Sequence, residues 1–156
     1  MKTPLRVVFD CNVYFQAFVS ERGPAAALLA EAVSGSLALY VSEVVLGEVV
    51  DVLNRPHLAA KFRYDAQRVQ AFADKLRQIA TMIDNPPHVF EFPRDPDDAH
   101  YIDLAVAAKA RLVVSRDEDL LSLRDTGTEA GRDLVARFPE LTILTPPEAL
   151  ALVRNP

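Results

Sequence analysis

The chain has 156 residues, half of them hydrophobic and a quarter charged, a length and mix that suit one folded domain and exclude disorder or fibre. No apolar run approaches the roughly 18 residues that span a bilayer; the start MKTPLRVVFD lacks a signal peptide's long apolar region; and Cys11 alone makes neither an internal disulfide nor a thiolate zinc site. Seventeen Lys and Arg against 22 Asp and Glu give a formal charge of -5, which argues against generic nucleic-acid binding.

The expectation is a cytoplasmic protein of one domain, residues 1–156. Leu5 to Phe9 reads as a buried strand, short and β-branched, ending abruptly in polar Asp10-Cys11-Asn12. A helix is predicted after Gly23-Pro24, with Pro24 in its first turn and Gly35 at its stop. Leu37 to Val41 is a second strand. Ser42 is placed to cap a helix carrying Val45, Leu46, Val49, Val50 and Leu53 on one face, ended by Asn54-Arg55-Pro56.

Helical spacing returns at Val69, Phe72, Leu76 and Ile79. This lies in a basic stretch, Arg55 to Gln78, that holds six basic residues and two acids. Met82-Ile83 and Val89 to Phe92 read as short strands, confined to the periphery by Pro86-Pro87 and Pro93. Asp95-Pro96-Asp97-Asp98 opens a helix to about Lys109. Leu112 to Val114 and Thr142 to Leu144 are further strands, and Pro146-Pro147 precedes a last helical turn or two ending near Val153. Asp125 to Glu140 holds either a short helix through Leu134 and Val135 or an insertion loop. Strands alternating with helices predict an α/β fold with a parallel sheet covered on both faces.

In such sheets ligands gather at the carboxyl ends of the strands. Four acidic stations fall there: Asp10 after the first strand, Glu48 in the helix opened by Ser42, Asp97-Asp98 at the start of the helix feeding the strand at Leu112, and Asp117 to Asp119 after that strand. Asp98 is preferred to Asp97 because Ile102 and Ala105 follow it on the inward face, whereas Tyr101 and Leu104 follow Asp97. Crowded carboxylates raise one another's pKa values unless a cation intervenes. An all-oxygen set without a His or Cys cluster favours Mg²⁺ or Mn²⁺ over zinc. That ion suits hydrolysis of a phosphodiester. Asp95 reads as a helix cap, Cys11 as a small buried hydrophobe, and His57, His88 and His100 as scattered surface residues.

The order strand–Asp10-x-Asn12, Ser42…Glu48, Asp97-Asp98 opening an alanine-rich helix, and Leu-Val-Val-Ser115-Arg-Asp117-x-Asp119-Leu-Leu resembles the PIN-domain family from about residue 5 to residue 150. The likeness is greatest to its prokaryotic branch of toxin–antitoxin toxins, related to VapC-type ribonucleases. The resemblance implies a three-layer α/β/α domain with a central parallel sheet and a Mg²⁺- or Mn²⁺-dependent endoribonuclease. Asp10, Glu48, Asp98 and Asp117 match the family's acidic quartet, with Asp10, Asp98, Asp117 and the accessory Asp119 as metal ligands. Asn12 and Ser115 match its supporting polar residues. It also implies a homodimer or higher homo-oligomer and a small cognate antitoxin. Arg63, Arg68, Arg77 and Arg116 are candidate phosphate contacts.

With the quartet assigned to a metal, the remaining acids nearly balance the basic residues, so the charge no longer argues against RNA. A haloacid-dehalogenase-like phosphatase would need an acid at Asn12 and a phosphate-binding lysine after a strand. A receiver domain would need an acid after a middle strand and a late lysine. The alternative is a non-catalytic PIN-like module for RNA or protein, whose usual sign is a missing acid; here all four stations are occupied.

Overall fold

The computed structural model describes residues 3–155. Leu5–Phe9 forms β1, Leu37–Val41 β2, Thr81–Met82 β3, Leu112–Val114 β4 and Thr142–Leu144 β5. They pair in parallel in the order β3-β2-β1-β4-β5. Continuous apolar runs fit the central strands because both faces are covered: Val7 and Val8 of β1 and Val113 and Val114 of β4 are wholly buried. Phe9 is level with Val114, so the residues that follow these two strands emerge side by side.

The helices are α1 Cys11–Val19, α2 Pro24–Ser34, α3 Glu43–Leu53, α4 Pro56–Phe62, α5 Ala66–Ile79, α6 Ala99–Ala107, α7 Glu118–Leu121, α8 Glu129–Arg137 and α9 Pro146–Arg154. Right-handed crossovers from β1 through β2 to β3 place α1 to α5 on one face, and the return through β4 to β5 places α6 to α8 on the other. Contacts agree: α1 packs on α2 and α3, α3 on α5 and α9 on α2, while α6 lies on β1 and β4. The result is a three-layer α/β/α arrangement. No helix among the described residues is long and apolar enough to cross a membrane.

Local chemistry sets most helix ends. Ser42, Asp65 and Thr128 accept hydrogen bonds from amides in the first turns of α3, α5 and α8. Pro24 starts α2, and Gly35 ends it with a left-handed φ of 91°. Thr145 and Glu148 form a reciprocal cap on α9, which therefore begins at Pro146 itself rather than after the proline pair. The α3–α4 corner is closed by the Tyr64 hydroxyl donating to Leu53 O at 2.8 Å. Phe18 of α1 meets Tyr64 and Phe72 edge-on, at centroid distances of 4.7 and 5.1 Å.

One expected strand is absent, and two helices are additional. Val89 to Phe92 is not a strand. That segment buries Phe90 and Phe92, but its amides turn to a side chain: Val89 N and Phe90 N donate to Asp103 Oδ1 at 2.9 and 3.0 Å. Cys11–Val19 is a helix that no expectation covered, and α3 stops at Asn54 as expected, with a further helix, Pro56–Phe62, starting directly after it. Within Asp125 to Glu140 the helix is the outcome, as α8, not an insertion loop.

Gly131 in α8 has no room for a side chain. A Cβ there would lie 2.1 Å from Asp125 O and 2.8 Å from Thr128 Oγ1. Gly131→Ala is expected to destabilise the protein by about 1–3 kcal/mol, measured by urea unfolding. An unchanged midpoint would show that the 125–131 turn gives way freely.

Candidate active site

From β1 the chain winds outward through β2 to β3, then returns to β4 on the other side of β1. The carboxyl ends of β1 and β4 therefore flank the crevice where connections diverge, the usual ligand position in an open α/β sheet. Asp10 and Ser115 are the first residues beyond these strands, and Asp10 N donates to Val114 O at 3.0 Å.

Asp10 is 2% exposed and caps α1, its Oδ1 accepting from Val13 N at 3.1 Å. Its Oδ2 accepts a hydrogen bond from the Ser115 hydroxyl. That hydroxyl also accepts from Asp117 N at 2.9 Å, and Asp117 in turn caps α7 through Asp119 N at 2.8 Å. One buried serine thus ties the β1 and β4 acids together. Burial pushes the Asp10 carboxyl up to about 6; the bonds from Ser115 and Val13 pull it down, and the charge of Asp117 pushes it up.

Asp98 ends the single 3₁₀ turn Pro96–Asp98 that leads into α6. Its carboxyl is held well above the ordinary range, first by burial and then by hydrogen bonding and charge from Asp117 and Asp95. Asp97 is exposed to solvent, so Asp98 is the member of the pair that faces the other acids. One carboxylate oxygen each from Asp95, Asp117 and Asp119 lies within 4.8 Å of the others. Asp95 was expected to be a helix cap, but its side chain makes no capping bond and it joins this cluster instead. Asp10 lies outside the three-carboxylate group, joined to it through Ser115 and Asp117.

Glu48 stands on the α3 side of the crevice, its side chain 38% exposed. The Tyr101 hydroxyl links it to the β1 acid's turn, accepting from Cys11 N at 3.0 Å and donating to Glu48 Oε1 at 3.3 Å. Burial holds that hydroxyl far above its ordinary pKa, so it stays a donor. His100, expected at the surface, is largely covered. Its ring lies on Tyr101 at a centroid distance of 4.1 Å, with Nε2 2.8 Å from Glu48 Oε1 but not at a hydrogen-bond angle. Spacing in sequence gives no sign of this contact, because His100 and Glu48 come from different crossovers.

The remaining expected residues are more dispersed. Asn12 is exposed in the first turn of α1, without a side-chain hydrogen bond among the described residues. Arg63, Arg68 and Arg116 are exposed; Arg68 lies over the Phe18 ring at 5.2 Å. Arg77 is paired with Glu43 at 2.9 and 3.1 Å, so its fork is already engaged. Burial and the charges of Asp10 and Glu48 push the Cys11 thiol up to about 11, which suits a packing role and not a nucleophile. Arg94, not anticipated, donates to Asp119 Oδ1 at 2.6 Å.

Crowded carboxyls of which one is forced toward its neutral form are what an all-oxygen cation site presents without its ion, so the residues fit a hard divalent metal. Asp95, Asp98, Asp117 and Asp119 are placed to hold it, with Asp10 bracing them through Ser115.

Residues 6–119 match the family model described as PIN domain. PIN domains are generally Mg²⁺- or Mn²⁺-dependent nucleases, a chemistry that the carboxylate cluster suits. The chain is also 29% identical over 124 residues to the uncharacterized protein MJ1680 of Methanocaldococcus jannaschii, covering 80% of this chain and 78% of that one. A family match across most of the chain, on a sheet whose switch point carries the acids, means that the protein belongs to the PIN domain family.

Proposed function

We propose that the protein is a Mg²⁺- or Mn²⁺-dependent endoribonuclease acting as the toxin of a toxin–antitoxin pair. The observation that carries the reading is the convergence of Asp10, Asp95, Asp98, Asp117 and Asp119 on one crevice, with Glu48 across from them. The bound ion would neutralise the carboxylates and stabilise charge on the phosphate.

The chain's own residues divide the work. Ser115 holds Asp10 and the Asp117 backbone in register, and Tyr101 fixes Glu48. Glu48 orients the attacking water and accepts its proton. The water oxygen bonds to phosphorus as the P–O3′ bond breaks. O3′ leaves with the electron pair and takes a proton from solvent, giving a 5′-phosphate and a 3′-hydroxyl. Arg63, Arg68 and Arg116 supply the exposed positive charge for the RNA backbone, whereas Arg77 is held by Glu43. A small cognate antitoxin and a homodimer or higher homo-oligomer complete the proposal, in the cytoplasm.

Purified protein is expected to cleave RNA with Mg²⁺ or Mn²⁺, to stop in EDTA, and to lose on the order of 10²–10³ in rate in Asp117→Asn. Cleavage indifferent to both chelation and substitution would sink the mechanism. Stable co-purification with the small product of a neighbouring reading frame, with cleavage silenced in the complex, tests the toxin role separately.

A further inference from the structure

Arg94 is the one basic side chain in direct contact with the clustered acids among the described residues. Its Nε holds Asp119 Oδ1 at 2.6 Å, and its two terminal amino groups make no hydrogen bond among the described residues. Only one of the guanidinium's five N–H donors is spent on the carboxylate, which leaves the terminal amino groups available to a second anion. The side chain is 55% exposed, so the pair contributes little to folding.

Its backbone is nonetheless well anchored. Phe90 and Phe92 are buried just upstream, Asp103 holds the amides of Val89 and Phe90, and Asp95 N donates to Phe92 O at 3.2 Å. Arg94 also stands at the edge of an open groove of about 770 Å³ between this segment and α8, where Arg132 is accompanied by the acids Glu91, Glu129 and Asp133. A phosphodiester held at the acid cluster would lie beside Asp119, and so next to the arginine that Asp119 holds.

We propose that Arg94 is a catalytic residue that grips the non-bridging oxygens of the scissile phosphate, and that Asp119 positions it by holding Nε. This rests on the ribonuclease reading above. Asp119, by this assignment, serves the arginine as well as the cation cluster. Planar, two-toothed recognition is what a phosphate offers and a lysine cannot match.

The experiment compares wild type, Arg94→Ala and Arg94→Lys on a labelled RNA oligonucleotide at saturating Mn²⁺, alongside Mn²⁺-dependent thermal stabilisation of the RNA-free proteins. Arg94→Ala is expected to lower kcat on the order of 100-fold with little change in KM, and to keep its full Mn²⁺-dependent shift. Arg94→Lys should recover only a small part. Cleavage by Arg94→Ala at or above the wild-type rate overturns the proposal and makes Arg94 a plug. Loss of the Mn²⁺ shift also overturns it, because Arg94 would then be only a support of the metal site. A wild type that takes up Mn²⁺ but cleaves no RNA defeats the ribonuclease reading itself, which the arginine variants alone would not reveal.

Discussion

Asp10→Asn should produce a protein that cleaves on the order of 10²–10³ more slowly yet resists denaturant better than wild type in EDTA at pH 7.5. The Asp10 carboxyl lies at about 6 in the fold, against an ordinary value of 3.8. A group whose pKa is raised by folding contributes stability below its unfolded value and loses it as pH rises through its folded value. Above pH 6 the buried charge therefore costs about 3 kcal/mol in the metal-free protein. Asn carries no charge, and its side-chain oxygen can still accept from Val13 N. The expected gain is about 2–3 kcal/mol in urea unfolding at pH 7.5, vanishing near pH 4, where wild-type Asp10 is protonated too. Added Mn²⁺ should stabilise the variant less than wild type, because Asp10 braces the ligands through Ser115. A variant less stable than wild type at pH 7.5 would show that the ionised carboxylate is well solvated by its neighbours.

Asp103→Ala should be the most damaging change away from the crevice. Asp103 is 6% exposed and accepts from two backbone amides through one oxygen, while its other oxygen lies 2.9 Å from His88 Nδ1. Alanine strands both amides, at about 1–3 kcal/mol each. The expected loss is roughly 2–5 kcal/mol, measured by urea unfolding at pH 6. Cleavage should fall beyond what unfolding explains, because Arg94 and Asp95 ride on the freed segment. Asp103→Asn keeps an oxygen for the amides and should lose far less. It should also weaken a pH effect: hydrogen bonding to Asp103 and then Glu91 raises the His88 pKa, so this link is fully present below the ordinary histidine value and fades as pH rises through the folded one. Equal losses in the Ala and Asn variants would assign the effect to the ion pair instead.

Much of the fold could be read from short-range signals. β1, β2, β4 and β5 are apolar runs with polar ends, and α2, α3 and α5 announce themselves by Pro24, Gly35, Ser42 and the Val69–Leu76 spacing. The acids beyond the strands followed from the rule for open parallel sheets. What failed did so for tertiary reasons. α1 is built from β-branched and aromatic residues whose helical state is set by the Asp10 cap and by packing of Val13, Tyr14 and Phe18. α4 buries no residue fully, so it has no apolar stripe to detect. Val89 to Phe92 has a strand's composition, but Asp103 takes the amides that a ladder would need. Asp95, Arg94, His100 and Tyr101 enter the crevice through contacts across 22 to 90 positions, which leave no spacing in sequence.

Asp10 and Asp117 each cap the helix that follows them as well as facing the crevice. This double duty makes their possible replacements unequal. Glutamate keeps the charge but is a poor cap, alanine loses both charge and cap, and asparagine keeps the cap while discarding the charge. Asparagine is also a single base change from aspartate in the genetic code. The shortest mutational route to an inert protein is thus one that leaves the fold intact and, at Asp10, sturdier. A lineage under pressure to silence this protein would be expected to keep making it.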